Sequence, residues 1–178
     1  MENGIIIYGS RYGATKRYAD ELAKRLNTTA LDYRQVSELN LYDTIIYMGG
    51  LYAGGVLGMA ETLKTLNDTS KARVLVVTVG LADPENQENV DHIRMNIQKQ
   101  VPDTLVRRLK IYHLRGAIDY AKLSLKYKLM MRLVYNKARK MPVEEQTPEV
   151  KAMIETYGKQ VDFVDFSRLQ PIIHLIKT

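Results

Sequence analysis

Runs of consecutive apolar residues alternate along the chain with stretches in which apolar residues recur every three or four positions. The clearest runs are Gly4–Gly9, Asp43–Gly50 and Arg73–Gly80, and each of them ends in glycine. Such runs are typical of strands that are buried on both faces of a parallel sheet. Weaker patterns predict a short second strand over Thr29–Tyr33 and a fifth strand over Ile111–Ile118.

Helical spacing of apolar residues fills the intervals between these strands. It predicts one helix after the first strand, one after the third, one over Asn86–Gln100 and a long one over Lys122–Lys140. Asp83 is the expected N-cap of the helix that begins near Asn86. The segment Pro142–Pro148 is predicted to be a linker, followed by a final helix of about ten residues.

Strands that alternate with helices at this spacing imply right-handed crossovers and a parallel sheet that is covered on both faces. We therefore expect an α/β fold, a flavodoxin-like doubly wound five-stranded parallel sheet in the order 2-1-3-4-5, with a basic amphipathic helix after strand 5. In such a sheet the ligand lies at the carboxyl ends of the strands, beside the switch point. A length of 178 residues fits a single domain over residues 1–178.

The amino-acid composition excludes several kinds of chemistry and leaves the predicted fold unchanged. The sequence has no cysteine, which excludes disulfides, thiolate metal sites and thiol catalysis. His92, His113 and His174 lack metal-ligand spacing, so no metal is expected, and no nucleophile–base pair is recognisable. The apolar runs are too short to span a bilayer and no secretory signal is evident, so we expect a cytoplasmic protein.

The positive charge is concentrated in one part of the chain. The formal net charge is +6, but the segment from Arg107 to Lys140 has eleven basic residues and one acid, a net charge of +10. The rest of the chain is therefore mildly acidic. This basic segment favours an anionic partner. No aromatic-rich strand or nucleic-acid motif accompanies it, so nucleic acid is not expected.

The loop between the first strand and its helix has the features of a phosphate site. A strand that turns directly into a helix directs several free backbone N–H groups and the positive end of the helix dipole at one point. Glycines permit close backbone approach there, and hydroxyl side chains add donors. The alternative is a tight turn without ligand, capped by Ser10. The predicted phosphate-binding residues are Ser10, Arg11, Tyr12, Gly13, Ala14 and Thr15.

Two elements resemble a known family. Ser10-x-Tyr12-Gly13-x-Thr15 resembles the flavodoxin phosphate loop T-x-T-G-x-T, and with Arg11 it is similar to the T-R-D-G-Q-T form of the menaquinone-dependent protoporphyrinogen IX dehydrogenase family. The segment 116–120 resembles the G-A-L-x-Y element of that family, and the basic, Met- and Leu-rich helix after it resembles the helix that follows there. Flavodoxins proper lack this helix. The matches extend from about Ile5 to Lys140.

The resemblance implies that FMN is the cofactor and that two further loops hold its ring. The loop after the third strand supplies Gly50, Leu51, Tyr52, Ala53 and Gly54, with Tyr52 as the stacking candidate. The loop after the fourth predicted strand supplies Gly80, Leu81 and Ala82. Tyr52 can alternatively be a half-exposed loop aromatic. The sequence also lacks the arginine that the dehydrogenase family commonly places in the first of these loops.

The long basic helix has an apolar stripe flanked by cations. Leu123, Tyr127, Met130, Met131, Val134 and Ala138 follow helical spacing. A basic amphipathic helix is typical of a peripheral membrane contact or an anionic-ligand element. The alternative is that the stripe packs on the sheet and the charges are solvated. The candidate membrane or substrate contacts are Lys122, Lys126, Lys128, Arg132, Lys137 and Lys140.

Four functions are compatible with these features. The resemblance implies an FMN-dependent oxidoreductase that passes electrons from a porphyrinogen-like donor through FMN to a quinone, at the inner face of the membrane. The alternatives are a flavodoxin-type electron carrier, another FMN-dependent quinone reductase, and a scaffold that has lost its cofactor. Carriers usually present acidic surfaces, and the basic segment argues against that role.

Overall fold

The computed structural model describes residues 3–52, 54–67 and 70–178, and its centre is a parallel sheet. The sheet has the order β2-β1-β3-β5-β6, and the two-residue strand β4 pairs antiparallel with the end of β3. The strands are β1 Gly4–Gly9, β2 Ala30–Asp32, β3 Thr44–Tyr52, β4 Gly55–Val56, β5 Arg73–Gly80 and β6 Lys110–Arg115. The predicted fold class is confirmed, and β4 is an addition that short-range patterns did not predict.

The register of the three central strands brings their glycine ends to one level. Gly9 pairs with Gly49, and Gly50 pairs with Val79, one residue before the end of β5. Because the strands are parallel, the loops that follow β1, β3 and β5 leave the same edge of the sheet side by side. Residues that are 40 to 70 positions apart in sequence therefore share one site.

Helices cover both faces of the sheet. The helices are α1 Ala14–Leu26, α2 Met59–Leu63, α3 Gln87–Gln98, α4 Asp103–Val106, α5 Leu125–Ala138, α6 Pro148–Thr156 and α7 Gln170–Lys177. On one face Ile5, Ile45 and Val74 pack with α2, α3 and α4. On the other face the intervening residues of the same strands pack with α1 and α7. This alternation explains why the strands are continuous apolar runs.

The predicted fifth strand is two strands in the structure. β6 ends at Arg115, and β7 Ala117–Asp119 leaves the sheet to pair antiparallel with β8 Gln160–Asp162. The break lies at Gly116, whose N–H donates to the Gly80 carbonyl at 2.7 Å. A side chain there would crowd Val79, since a Cβ would lie 3.0 Å from its Cγ1 atom. The predicted strand over Ile111–Ile118 is therefore wrong in its continuity.

The carboxyl-terminal third also differs from the prediction. The single final helix is two helices, α6 and α7, separated by β8, and the predicted linker contains a 3₁₀ turn at Val143–Glu145. The long basic helix is shorter than predicted, beginning at Leu125 after Ser124 in extended conformation. Asn86, rather than Asp83, caps α3 by accepting the Asn89 N–H at 3.0 Å. Local polar residues compete for such caps, and only the chain path decides between them.

α5 and α6 form a small third layer above the carboxyl edge of the sheet. Their shared cluster includes Ile118, Tyr120 and Met131, all buried. The rings of Tyr135 on α5 and Tyr157 after α6 stack with centroids 3.9 Å apart. Within the described ranges, none of the helices combines the length and the apolar character needed to cross a bilayer.

Candidate functional site

A cavity of about 510 Å³ lies at the carboxyl edge of the sheet. Its floor consists of the loops after β1, β3 and β5, and its roof is contributed by α5 and α6. Most of the surface is apolar, as in many small-molecule sites. The roof residues are Met130, Met131, Val134, Val150 and Met153.

The loop after β1 presents the start of α1 to this cavity. Gly13 is the N-cap in the left-handed conformation, at φ 92°, and no side chain caps the helix. Thr15 is buried, and its Oγ1 atom lies opposite Gly50, where a Cβ would approach it to 3.2 Å. Ser10 Oγ is buried and has no hydrogen-bond partner among the described residues. The Ser10 side chain therefore does not cap the helix, and Ser10 is not among the described residues that line the cavity. Phosphate binding by this loop stays a prediction, in which an anion would satisfy the buried hydroxyl.

Arg11 and Tyr12 connect this loop to the other walls. The Arg11 guanidinium lies 4.1 Å from the centroid of the Tyr52 ring and 5.1 Å from that of Tyr127. The Tyr12 hydroxyl donates to Met131 Sδ at 3.5 Å, and burial raises the pKa of Tyr12. Arg11 therefore covers Tyr52 and carries a positive charge at the wall of the cavity.

Tyr52 is held by the roof. It ends β3, and its hydroxyl donates to Met130 Sδ at 2.8 Å. Tyr52 is partly exposed at the end of a strand rather than in a loop, and its stacking on a ring stays a prediction. Gly54 turns the chain at φ 80°, and Leu51 pairs with Val56 in the hairpin. Ala53, which was also predicted to contact the ring, lies outside the described residues.

The loop after β5 contributes backbone rather than charge. Gly80 and Leu81 line the cavity, and the Leu81 carbonyl accepts from Arg115 Nη2 at 3.0 Å. Ala82 is buried, and its backbone amide acts to lower the pKa of Glu149. Gly80 and Leu81 of the predicted second ring loop thus form one wall, whereas Ala82 is not among the described residues that line the cavity.

Glu149 is a residue of the cavity that sequence reasoning missed. Its carboxyl group lies against Gly80, where a Cβ would approach Oε1 to 2.5 Å. Burial raises the pKa of Glu149 to about 7, while the Ala82 N–H acts in the opposite direction. Glu149 follows Thr147 and Pro148 in the first turn of α6, a common place for an exposed glutamate. The local sequence therefore gave no sign that its side chain enters the cavity. The contact depends on where α6 lies.

The predicted basic contacts do not line the cavity. All six side chains, from Lys122 to Lys140, are exposed on the outer side of the α5 region. Lys122 Nζ lies 3.5 Å from Asp119, and Lys128 Nζ donates to the Ala121 carbonyl at 3.0 Å. None of these six residues lines the cavity, and their contact with a membrane or a substrate stays a prediction.

The histidines have separate environments. His92 lines the cavity from α3, whereas His113 Nδ1 lies 2.7 Å from Thr78 Oγ1 inside the sheet layer. Burial lowers the pKa of His113 to about 4, so this ring is neutral at physiological pH. In the part of the chain that the structure describes, no three His, Asp or Glu residues are grouped as metal ligands.

The family of this chain follows from one comparison with known proteins. Residues 5–144 match the family model of the flavodoxin domain. No curated protein sequence matches the chain. A Bacteroides uniformis protein assigned as a flavoprotein shares 12% identity, with 64% of this chain and 90% of that chain covered and a TM-score of 0.45. A variant of Fusobacterium nucleatum flavodoxin bound to flavin mononucleotide shares 17% identity, with 61% and 66% covered and a TM-score of 0.44. Because the family model spans most of the chain, this protein belongs to the flavodoxin domain family.

Proposed function

We propose that this protein is an FMN-dependent oxidoreductase that passes electrons from a porphyrinogen-like donor through FMN to a quinone. The alternative is a flavodoxin-type electron carrier or another FMN-dependent quinone reductase. The apolar roof over the carboxyl-edge cavity is the observation that carries the proposal.

The residues at this edge fit the cofactor. The unpartnered Ser10 hydroxyl and Thr15 at the start of α1 would hold the phosphate, and Arg11 adds a charge at the wall of the same cavity. Gly50, Gly80 and Tyr52 line the same cavity, which would receive the flat ring. When bound, FMN supplies hydride chemistry and can pass electrons on, and the protein's part is to bind and orient it.

The roof favours an enzyme over a carrier. A carrier exchanges electrons with protein partners across an exposed edge, whereas α5 and α6 here cover the cavity with apolar side chains. Three of these are methionines, which are unbranched and adaptable, so the roof can adjust to a second flat ligand. An apolar, ring-shaped substrate such as a porphyrinogen or a quinone suits this lining, and Arg11 suits an anionic substituent.

Loading with FMN followed by turnover tests the proposal. We expect the purified protein to take up FMN and to oxidise a porphyrinogen faster when a menaquinone analogue is present. Reduction of a quinone without porphyrinogen oxidation would favour the quinone reductase. Exchange with ferredoxin alone would favour the carrier. Failure to bind FMN would contradict all three and leave the scaffold.

The outer face of α5 supports contact with an anionic membrane. Leu125, Leu129 and Leu133 are spaced four residues apart and are 85%, 61% and 64% exposed. We call these three residues the leucine ridge. The apolar stripe predicted from sequence points the other way, since Met131 and Ala138 are buried. Helical spacing places Lys126 and Lys137 on one side of the ridge and Lys128, Arg132 and Arg139 on the other.

An apolar ridge between two basic flanks is complementary to a bilayer with anionic headgroups. Each cation near such a surface contributes roughly 1 kcal/mol, and leucines inserted at the headgroup boundary add to this. A quinone acceptor resides in the membrane, so this contact would bring the cavity close to its supply. The occupant we propose for this face is therefore the lipid surface.

Replacement of the leucine ridge by glutamine should weaken membrane binding. The triple variant L125Q/L129Q/L133Q is expected to bind phosphatidylcholine vesicles containing one third phosphatidylglycerol about tenfold more weakly or worse, because the apolar insertion is lost. Co-sedimentation measures the binding. Leu41→Gln is the matched control, because Leu41 is 66% exposed and precedes β3 at the opposite edge of the sheet.

Neutralising the lysines beside the leucine ridge tests the electrostatic contribution to membrane binding separately from the insertion of the leucines. Changing Lys122, Lys126, Lys137 and Lys140 to glutamine should lower vesicle binding and flatten its salt dependence. Binding that is unchanged in both variants would contradict the membrane contact and favour a solvated face. Binding to a protein partner instead of vesicles would have the same consequence.

A further inference from the structure

Glu149 is the only acidic side chain among the described residues that line the cavity. It lies in the first turn of α6, where Thr147 caps the helix by accepting the Val150 N–H at 3.4 Å. The chain reaches this point only after α5 has crossed above the site. Glu149 thus lines the cavity from the roof side, opposite the phosphate loop.

One oxygen of this carboxyl group is enclosed by the protein. The Ala82 backbone amide acts to lower the pKa of the group, against the effect of burial. Oε1 is buried and has no hydrogen-bond partner within the described residues, although it lies against Gly80. A buried oxygen without a partner is costly unless it is protonated or bonded to a ligand.

The surroundings leave this group without a counter-ion. The other titratable side chains that line the cavity are Arg11 and Tyr12 from the first loop, Tyr52 from the second and His92 from α3. α5 contributes Met130, Met131 and Val134, none of which is charged. Burial is the main cause of the raised pKa of Glu149, and no charged side chain contributes to the shift. A proton can therefore stay on the carboxyl group at neutral pH.

We propose that Glu149 is the proton donor for reduction of the acceptor in this cavity. This role rests on the proposed function. Reduction of a quinone to a quinol takes two electrons and two protons. A hydride equivalent supplies both electrons and one proton, so one further proton is needed. Glu149 gives the proton held at its carboxyl group to the quinone oxygen, becomes a carboxylate, and recovers a proton from water.

The variant Glu149→Gln tests this role in the FMN-loaded protein. The amide keeps the size and the hydrogen-bonding capacity of the side chain but has no acidic proton. Reoxidation of the reduced protein by menadione should be about 100-fold slower than in the wild type, the usual scale for a lost general acid. The wild-type rate should fall as the pH rises above 7, whereas the rate of the variant should not change there. Stopped-flow absorbance measures both.

Two controls separate proton donation from other effects. Ferricyanide accepts electrons without protons, so its rate should be equal in the wild type and the variant. Glu155→Gln, at an exposed position of the same helix, should behave as the wild type with both acceptors. Equal menadione rates and pH profiles for the wild type and Glu149→Gln would overturn the proposal.

Infrared difference spectroscopy gives a readout independent of turnover. A carbonyl band of a protonated carboxyl group should change between the oxidised and reduced protein at neutral pH, and it should be absent in Glu149→Gln. Absence of this band in the wild type would also contradict the role. A wild-type protein that binds FMN and shows this band but does not reduce menadione would overturn the quinone function alone.

Discussion

Replacing Ser10 and Thr15 together by alanine is expected to weaken FMN binding by at least about 100-fold. Each hydroxyl would donate to a phosphate oxygen, and hydrogen bonds to a charged group contribute about 1.5–3 kcal/mol apiece. Ser10 Oγ is already buried without a partner in the described part of the chain, and Thr15 is 3% exposed. Because both hydroxyl groups are buried, bulk water does not compete with the phosphate for these two hydrogen bonds.

The measurement is quenching of FMN fluorescence on titration with apoprotein. Some binding should remain, because the backbone N–H groups at the start of α1 are unaffected. The apoprotein should remain folded, since Ser10→Ala removes a buried unsatisfied oxygen, which offsets the buried methyl group that Thr15→Ala removes. The control S37A/T29A removes the same two hydroxyls from exposed positions. Equal affinities of the wild type and S10A/T15A would place the phosphate elsewhere.

Replacing Glu149 by glutamine is expected to change how the stability of the apoprotein depends on pH. The folded-state pKa of Glu149 is about 7, above its ordinary value of 4.5. Below pH 4.5 the Glu149 carboxyl group is protonated in both the folded and the unfolded chain, so it does not change the pH dependence of stability. As the pH rises from there, the unfolded chain releases the proton first, so the wild type loses stability until the folded pKa is passed.

The size of this effect follows from the difference between the two pKa values. Relative to the wild type, the variant should gain up to about 3 kcal/mol in free energy of unfolding between pH 4.5 and 8. Urea denaturation followed by circular dichroism at several pH values measures it. Glu155→Gln should show no such trend, because that side chain is exposed. Parallel pH curves for the wild type and Glu149→Gln would mean that the carboxylate is solvated or paired.

The residues that were predicted well are those whose role is local. A strand buried on both faces is recognisable because each successive residue must be apolar, as in the run that includes Ile5, Ile6 and Ile7. The turn around Gly13 is equally local, because a left-handed residue at a strand-to-helix junction favours glycine. The strand-to-helix turn was therefore predicted correctly, and the expected capping role of Ser10 was not.

Predictions that depended on how a helix is rotated were less successful. The apolar stripe of α5 was identified correctly as a periodic pattern, and its Met131 is buried under the roof. The leucine ridge was not predicted. Its three leucines are spaced four residues apart, as in a buried stripe, and this spacing alone does not distinguish a solvent-facing row from a buried one. The face of α5 that is buried is the one that packs against neighbouring elements. Here Met131 packs against Ile118 and Tyr120.

By itself the sequence determined the alternation of the five parallel strands with helices, the glycine ends of β1, β3 and β5, and the glycine turn at the start of α1. These features follow from interactions between residues that are close in the chain. The tertiary structure alone decided that β7 leaves the sheet, that α5 and α6 roof the cavity, and that Glu149 reaches Gly80. Those contacts join residues that are far apart in the chain. Their positions depend on packing between layers, for which no short pattern of residues carries a signal.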